Sequence, residues 1–187
     1  MVDVVHIPGT RMVEEGVDDL SRPKKGAFGS EKDRAEWSLT GEGMACIQAW
    51  LGGPISFDRF ASRVNRKCVR YNAARWEPEA VAPASAFAEQ HNWRLQPGGE
   101  WEWNFCFPPH HLITKCLDRI EKDKAWACMV VPNWPSQAWW PKLRMYALRW
   151  KMLGRHDMLR RMEGGKWVPI KRAPFEMMAV VVDCRFL

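Results

Sequence analysis

The run "AWACMVVP", residues 125–132, is continuously apolar and of strand length. A strand with no polar face has to be covered on both sides, and parallel strands between two layers of helices meet that demand. It is preceded by "HLITKCLDRIEKDK", residues 111–124, where Leu112, Ile113, Cys116, Leu117 and Ile120 repeat with the period of an amphipathic helix. Upstream, "WEWNFCF" alternates like a strand, and "ISFDRF", residues 55–60, is a further strand ending in a polar turn. "MACIQAWL", residues 44–51, is predicted as a helix stopped by Gly52-Gly53-Pro54. The pattern is α/β, with helices on both faces of a three-layer sheet. "ASRVNRKC" is expected as a helical segment, residues 72–100 as a long irregular loop, and "SQAWWPKLRMYALRW" as a helix broken or kinked at Pro141. "KWVPI" and "MAVVVDC" provide two closing strands.

In such sheets ligands gather at the carboxyl ends of strands. That places Asp58 and Pro108-Pro109 at one edge. The corner "NFCFPPHHLITKC" is open to two readings. Pro108 and Pro109 form either a stiff strand-to-helix turn kept for packing, or a donor-free wall beside a cleft. An enzyme acting on a base extrudes it and clamps it between flat side chains, a task His110 could share. Metal chemistry has little support, since five histidines and six cysteines show no ligand spacing. A Cys106–His111 nucleophile pair has no supporting context. "GEGMACIQAWLGG" has glycines but neither a preceding strand nor the lysine of a phosphate loop.

Charge distribution narrows the partners. The 187-residue chain carries a net charge of +6. Between Lys142 and Arg172 ten Lys/Arg oppose only Asp157 and Glu163. Lys142, Arg144, Arg149, Lys151, Arg155, Arg160 and Arg161, interleaved with some of the twelve tryptophans, are candidates to hold phosphates and stack bases of DNA or RNA. The alternative is a solvated helix face whose tryptophans point inward. No apolar run approaches the ~20 residues of a membrane span, and the start lacks signal-peptide features. The cysteines include no CxxC pair and read as reduced thiols of an intracellular protein, several of them buried.

The motifs "FDRFASRVN", "WNFCFPPHHLITKCLDRI" and "ACMVVPNWPSQAWWPKL" occur in an order that resembles the phage-type DNA N6-adenine methyltransferase domain. They are still more similar to the degenerate version of that domain in polyproteins of DIRS-type tyrosine-recombinase retrotransposons. "HIPGTRMVEEGVDDLSR" resembles the end of a retroelement RNase H, in which Asp18 takes the place of the last metal-binding carboxylate. The resemblance implies an RNase H remnant at 1–22, a linker at 23–36, and a reduced, Rossmann-like, methyltransferase-like domain at 37–187. It implies Asp58, Ala61, Ser62 and Asn65 on the S-adenosylmethionine side, and Phe107, Pro108, Pro109 and His110 as the base pocket. The frame departs from the family pattern. Phe107 replaces the Asn/Asp that holds the target amine, His110 replaces Tyr/Phe, and Ser85-Ala86-Phe87 and Asn92-Trp93 replace acid-bearing counterparts. The expectation is therefore a non-catalytic, nucleic-acid-binding domain without cofactor, associated with the reverse transcriptase and RNase H region of a polyprotein. An active adenine methyltransferase using S-adenosylmethionine and a scaffold for protein partners are the alternatives.

Overall fold

The computed structural model describes residues 37–75, 77–81 and 85–186. The RNase H-like segment with Asp18 and the linker at 23–36 lie outside the described residues. Seven strands form one mixed sheet: β1 Trp37–Leu39, β2 Phe57–Ala61, β3 Arg70–Ala73, β4 Trp103–Cys106, β5 Trp126–Pro132, β6 Ala147–Glu163 and β7 Lys166–Asp183. The helices are α1 Gly41–Leu51, α2 Ile113–Lys122 and α3 Trp140–Tyr146, with a 3-10 turn at His110–Leu112. The strand order is β1-β6-β7-β5-β4-β2-β3. Strands β3, β2, β4 and β5 run parallel, while β7 is antiparallel to both β5 and β6.

All seven residues of β5 are buried, as its unbroken apolar run requires. Ala127, Met129 and Val131 join the cluster that contains Ile113, Cys116, Leu117 and Ile120 of α2 and Leu143 of α3. Cys128 and Val130 join Met44, Ile47 and Leu51 of α1 on the other face. The apolar periods of α1 and α2 thus cover opposite sides of the same strand. Thr40 starts α1, its hydroxyl oxygen accepting the Gly43 N–H at 3.0 Å. Gly52, at φ 67°, ends it in the left-handed conformation that glycine adopts without penalty. The helix begins three residues before Met44, and β1 precedes it, contrary to the expectation that no strand does.

Two segments differ from the sequence reading. Residues 62–69 form turns rather than a helix. The Asn65 carboxamide oxygen accepts the Ser62 N–H at 2.6 Å, and the Asp58 carboxylate accepts the Lys67 N–H at 3.0 Å. The Asp58 carboxylate thus takes the Lys67 donor that a helix would pair with the Arg63 carbonyl. Pro141 does not break a helix either. It stands in the first turn of α3, where a missing N–H is harmless. From Ala147 the chain is strand, so the basic stretch beyond Lys142 and Arg144 of α3 is a β-hairpin and not a helix face. Its alternation is interrupted by register shifts around Gly154 (φ 75°) and Asp157 (φ 55°), which hide a 17-residue strand from a period-two search. "KWVPI" and "MAVVVDC" fall largely within one strand, β7.

Gly43 lies where α1 meets this hairpin. A Cβ there would stand 2.9 Å from the backbone oxygen of Met158, an atom held in β6. Gly43→Ala is expected to destabilise the chain by about 1–3 kcal/mol, read as a lower urea midpoint with an unchanged slope.

Candidate functional site

Chain connections leave β2 toward β3 on one side and β4 toward β5 on the other. The crevice at the carboxyl ends of β2 and β4 is therefore the place where an α/β sheet offers a ligand site. Both candidate groups flank it. Asp58 pairs in register with Phe105, three residues short of Pro108.

On the β4 side, Phe107 is partly buried and packs into the apolar cluster beneath α1. Its ring does packing work. Pro108 is buried and Pro109 exposed. The Pro109 carbonyl accepts the Leu112 N–H at 2.9 Å, so the corner launches the 3-10 turn and α2. The His110 ring meets Trp134 edge-on at 4.8 Å and Phe175 at 5.3 Å, and Trp134 meets Phe175 at 5.1 Å. Burial, followed by the neighbouring His111, lowers the His110 pKa to about 4, so the imidazole is neutral at pH 7.

On the β2 side, the Asp58 carboxylate accepts backbone N–H groups from Phe60 at 3.2 Å and Lys67 at 3.0 Å. Burial raises its pKa to about 6 against those two bonds and the charge of Lys67. Asn65 closes the same turn, and Ala61 is buried in register with Ala73. The Ser62 Oγ is buried without a hydrogen-bond partner. Beside this turn, Ser62, Arg63, Val64, Glu77, Pro78 and Glu79 line an open cleft of about 270 Å³. Glu77 there accepts the Arg63 N–H and the Tyr71 hydroxyl, each at 2.8 Å.

Sequence reasoning missed the polar centre between these strands. Arg59 is 2% exposed and lies 3.7 Å from the Phe57 ring centroid. Its Nε donates to the Asn104 oxygen at 2.7 Å, and Nη1 donates to the Asn72 oxygen at 3.2 Å. The signal was present: one arginine in "FDRFA" and one asparagine in "WNFC", each inside a strand with apolar neighbours.

The candidate nucleic-acid residues separate into engaged and open groups. Lys142 is tied to Asp118 at 2.5 Å and Glu121 at 2.7 Å. Arg149 donates to the carbonyls of Trp50 and Leu51 at the end of α1, and Arg161 pairs with Glu163. Arg144 stacks over Trp150 at 4.4 Å and Arg160 over Trp167 at 4.7 Å. Arg155 is exposed and Lys151 half-buried. Arg144 and Trp150 also line a groove of about 190 Å³ between α3 and the β6–β7 pair.

Among the described residues, no group of three or more His, Cys, Asp or Glu is arranged to hold a metal ion. Cys106 is wholly buried, with its thiol pKa pushed well up by burial, whereas His111 is exposed. That leaves the Cys106–His111 pair without a reactive thiolate. All six cysteines are free thiols, four of them buried. No helix among the described residues is long and apolar enough to cross a membrane. No protein-family model matches the chain, and no curated protein matches it.

The buried imidazole gives stability a pH signature. His110 titrates near pH 6.5 when unfolded and near 4 when folded, so the unfolded chain binds more protons between those values and acidification destabilises. Asp58 works the other way, because its raised pKa makes the folded chain the better proton binder between about 3.8 and 6. His110→Phe removes only the first effect. Between pH 7 and pH 4.5 the variant is expected to gain about 2 kcal/mol on the parent, in urea unfolding at both pH values.

Proposed function

We propose that this chain is a retroelement-derived, methyltransferase-like domain that has lost catalysis and binds nucleic acid. The observation that carries the binding part is the exposure of Arg155, Lys166, Lys171 and Arg172 on the β6–β7 hairpin. None of these four forms an ion pair within 4.0 Å with another described residue. Such cations are free to exchange counterions for phosphates.

The scaffold part rests on the resemblance and is supported by the sheet. Four parallel strands carry helices on both faces, and the crevice between β2 and β4 lies beside "FDRFAS" and "FPPHH". Loss of catalysis is supported by how those residues are used. Methyl transfer to an exocyclic amine needs an acceptor beside the base and polar groups facing the cofactor. Here Phe107 packs in the core, and Asp58 and Asn65 hold a backbone turn. S-adenosylmethionine thus lacks the hydrogen-bonding partners the family frame provides.

Two measurements test the reading. Calorimetry with S-adenosylmethionine at millimolar concentration is expected to show no binding heat. Measurable heat would favour the adenine-methyltransferase alternative. Fluorescence anisotropy with labelled oligonucleotides is expected to show affinity falling as salt rises, with a log–log slope near −3 to −4 for about four phosphate contacts. Absence of binding at low salt, or affinity indifferent to salt, would defeat the nucleic-acid reading.

A further inference from the structure

The hairpin arm is more than a charged surface. Between the His156–Arg172 pair and the Glu163–Lys166 pair, β6 and β7 form an antiparallel ribbon whose span is roughly 25 Å at ordinary strand rise. β5 pairs with β7 only from Met177 onward, so residues 166–175 of β7 have β6 as their sole strand neighbour among the described residues. The outer side of β6 meets β1 over three residues only, Leu159–Arg161. The tip turns through Gly164-Gly165 with φ of 54° and 81°, a two-residue turn with no side chain to widen it.

Register fixes where the charges point. Arg160, Met162, Trp167, Pro169 and Lys171 share one face, while Leu159, Arg161, Glu163, Lys166, Val168, Ile170 and Arg172 share the other, where Glu163 pairs with Arg161 and buried Leu159 packs with the α1 cluster. Cations therefore lie on both faces. A platform for unpaired bases would instead gather open aromatic rings on one face. The single tryptophan of the arm is poorly suited to that, since Arg160 covers Trp167 at 4.7 Å and the indole Nε1 is buried. A protein partner is also disfavoured. Pro169 and Pro174 interrupt the donors of the open β7 edge against strand addition, and Val168 is the one large apolar side chain exposed on the arm.

We propose that the β6–β7 arm, residues 155–172, enters the major groove of duplex DNA by its two-stranded tip beyond β1 and its open β7 edge. This rests on the nucleic-acid reading above and names both the ligand class and the element that binds it. The major groove of B-form DNA, about 12 Å wide, admits a β-ribbon and has a phosphate wall on each side. Cations on both ribbon faces match those two walls. The narrow, deep major groove of A-form RNA does not admit the same ribbon.

The test uses the full chain with a 20-base-pair DNA duplex, its single strand and a duplex RNA of the same sequence, measured by anisotropy across a salt series. Duplex DNA is expected to bind at least tenfold tighter than either competitor. Dimethyl sulfate probing is expected to show guanine N7 protection, which reports on the major groove. The triple variant K166A/K171A/R172A, which alters exposed side chains only, is expected to reduce the magnitude of the log–log salt slope by about 2–3. K166R/K171R is expected to keep it, as is Lys122→Ala, an exposed lysine on α2. Matching thermal melts establish that the variants are folded. No binding to any of the three nucleic acids would overturn both this inference and the nucleic-acid reading. Binding with an unchanged slope in the triple variant, preference for the single strand or duplex RNA, or unprotected N7 would overturn the arm inference alone.

Discussion

The sheet is organised around one buried carboxamide. Asn104 is fully buried in β4 and accepts from Arg59 of β2 at 2.7 Å. Its nitrogen donates to the Trp126 carbonyl of β5 at 2.8 Å and to the Trp93 carbonyl of the long loop at 2.7 Å. One side chain therefore ties three adjacent parallel strands and the connection that covers them. Arg59 extends the tie to β3 through Asn72, whose own amide nitrogen lies 3.0 Å from a His91 ring nitrogen. A buried guanidinium is tolerable only when its donors are met, and here neutral oxygens meet them. Burial lowers its pKa to about 10, which still leaves it cationic at pH 7. Because each member satisfies another, removing any one leaves a partner orphaned at about 1–3 kcal/mol.

The same network occupies the polar side chains of the strands beside it. β2 sends Arg59 to the polar centre and Asp58 to the opposite face, where the carboxylate closes the turn that leads to β3. Both charged side chains of the strand are thus spent on architecture. β4 divides its work similarly, with Asn104 and Cys106 toward the α2 face and Phe105 and Phe107 toward the α1 face. An amide at position 107 would have to pack against the apolar cluster that Phe107 joins from its partly buried position. The phenyl ring fits that company.

What was readable in advance followed from period and punctuation. The unbroken "AWACMVVP" announced a doubly covered strand, and Ile113, Cys116, Leu117 and Ile120 announced the helix before it, as observed. Gly52-Gly53-Pro54 marked the end of α1 because glycine relieves a left-handed cap. What escaped prediction depends on partners distant in sequence. Residues 61–68 look helical until Asp58 takes the Lys67 donor. "ALRWKMLGRHDMLRRME" lacks alternation because bulges flip its faces, and only pairing with β7 makes it a strand. The Arg59–Asn104 contact joins residues 45 apart. Each of the two was visible as a polar residue in an apolar strand, but their union was not.

That hidden strand changes the physical meaning of the basic segment. On a helix, cations at Lys142 to Arg172 would wind around an axis and present a broad, mixed surface. On a hairpin they alternate between two faces of a thin ribbon, and local chemistry then sorts them. Arg149, near the sheet body, is drawn into structure by the carbonyls closing α1, as Lys142 on the preceding α3 is by the carboxylates of α2. Those farther out, at Lys166, Lys171 and Arg172, are exposed and have no acidic side chain on the same strand until Glu176. Charge that was indistinguishable in the linear sequence is thereby divided into cations that hold the fold and cations that stay exposed. The division follows the antiparallel pairing of β6 with β7, so the pairing that completes the core also carries the exposed cations outward.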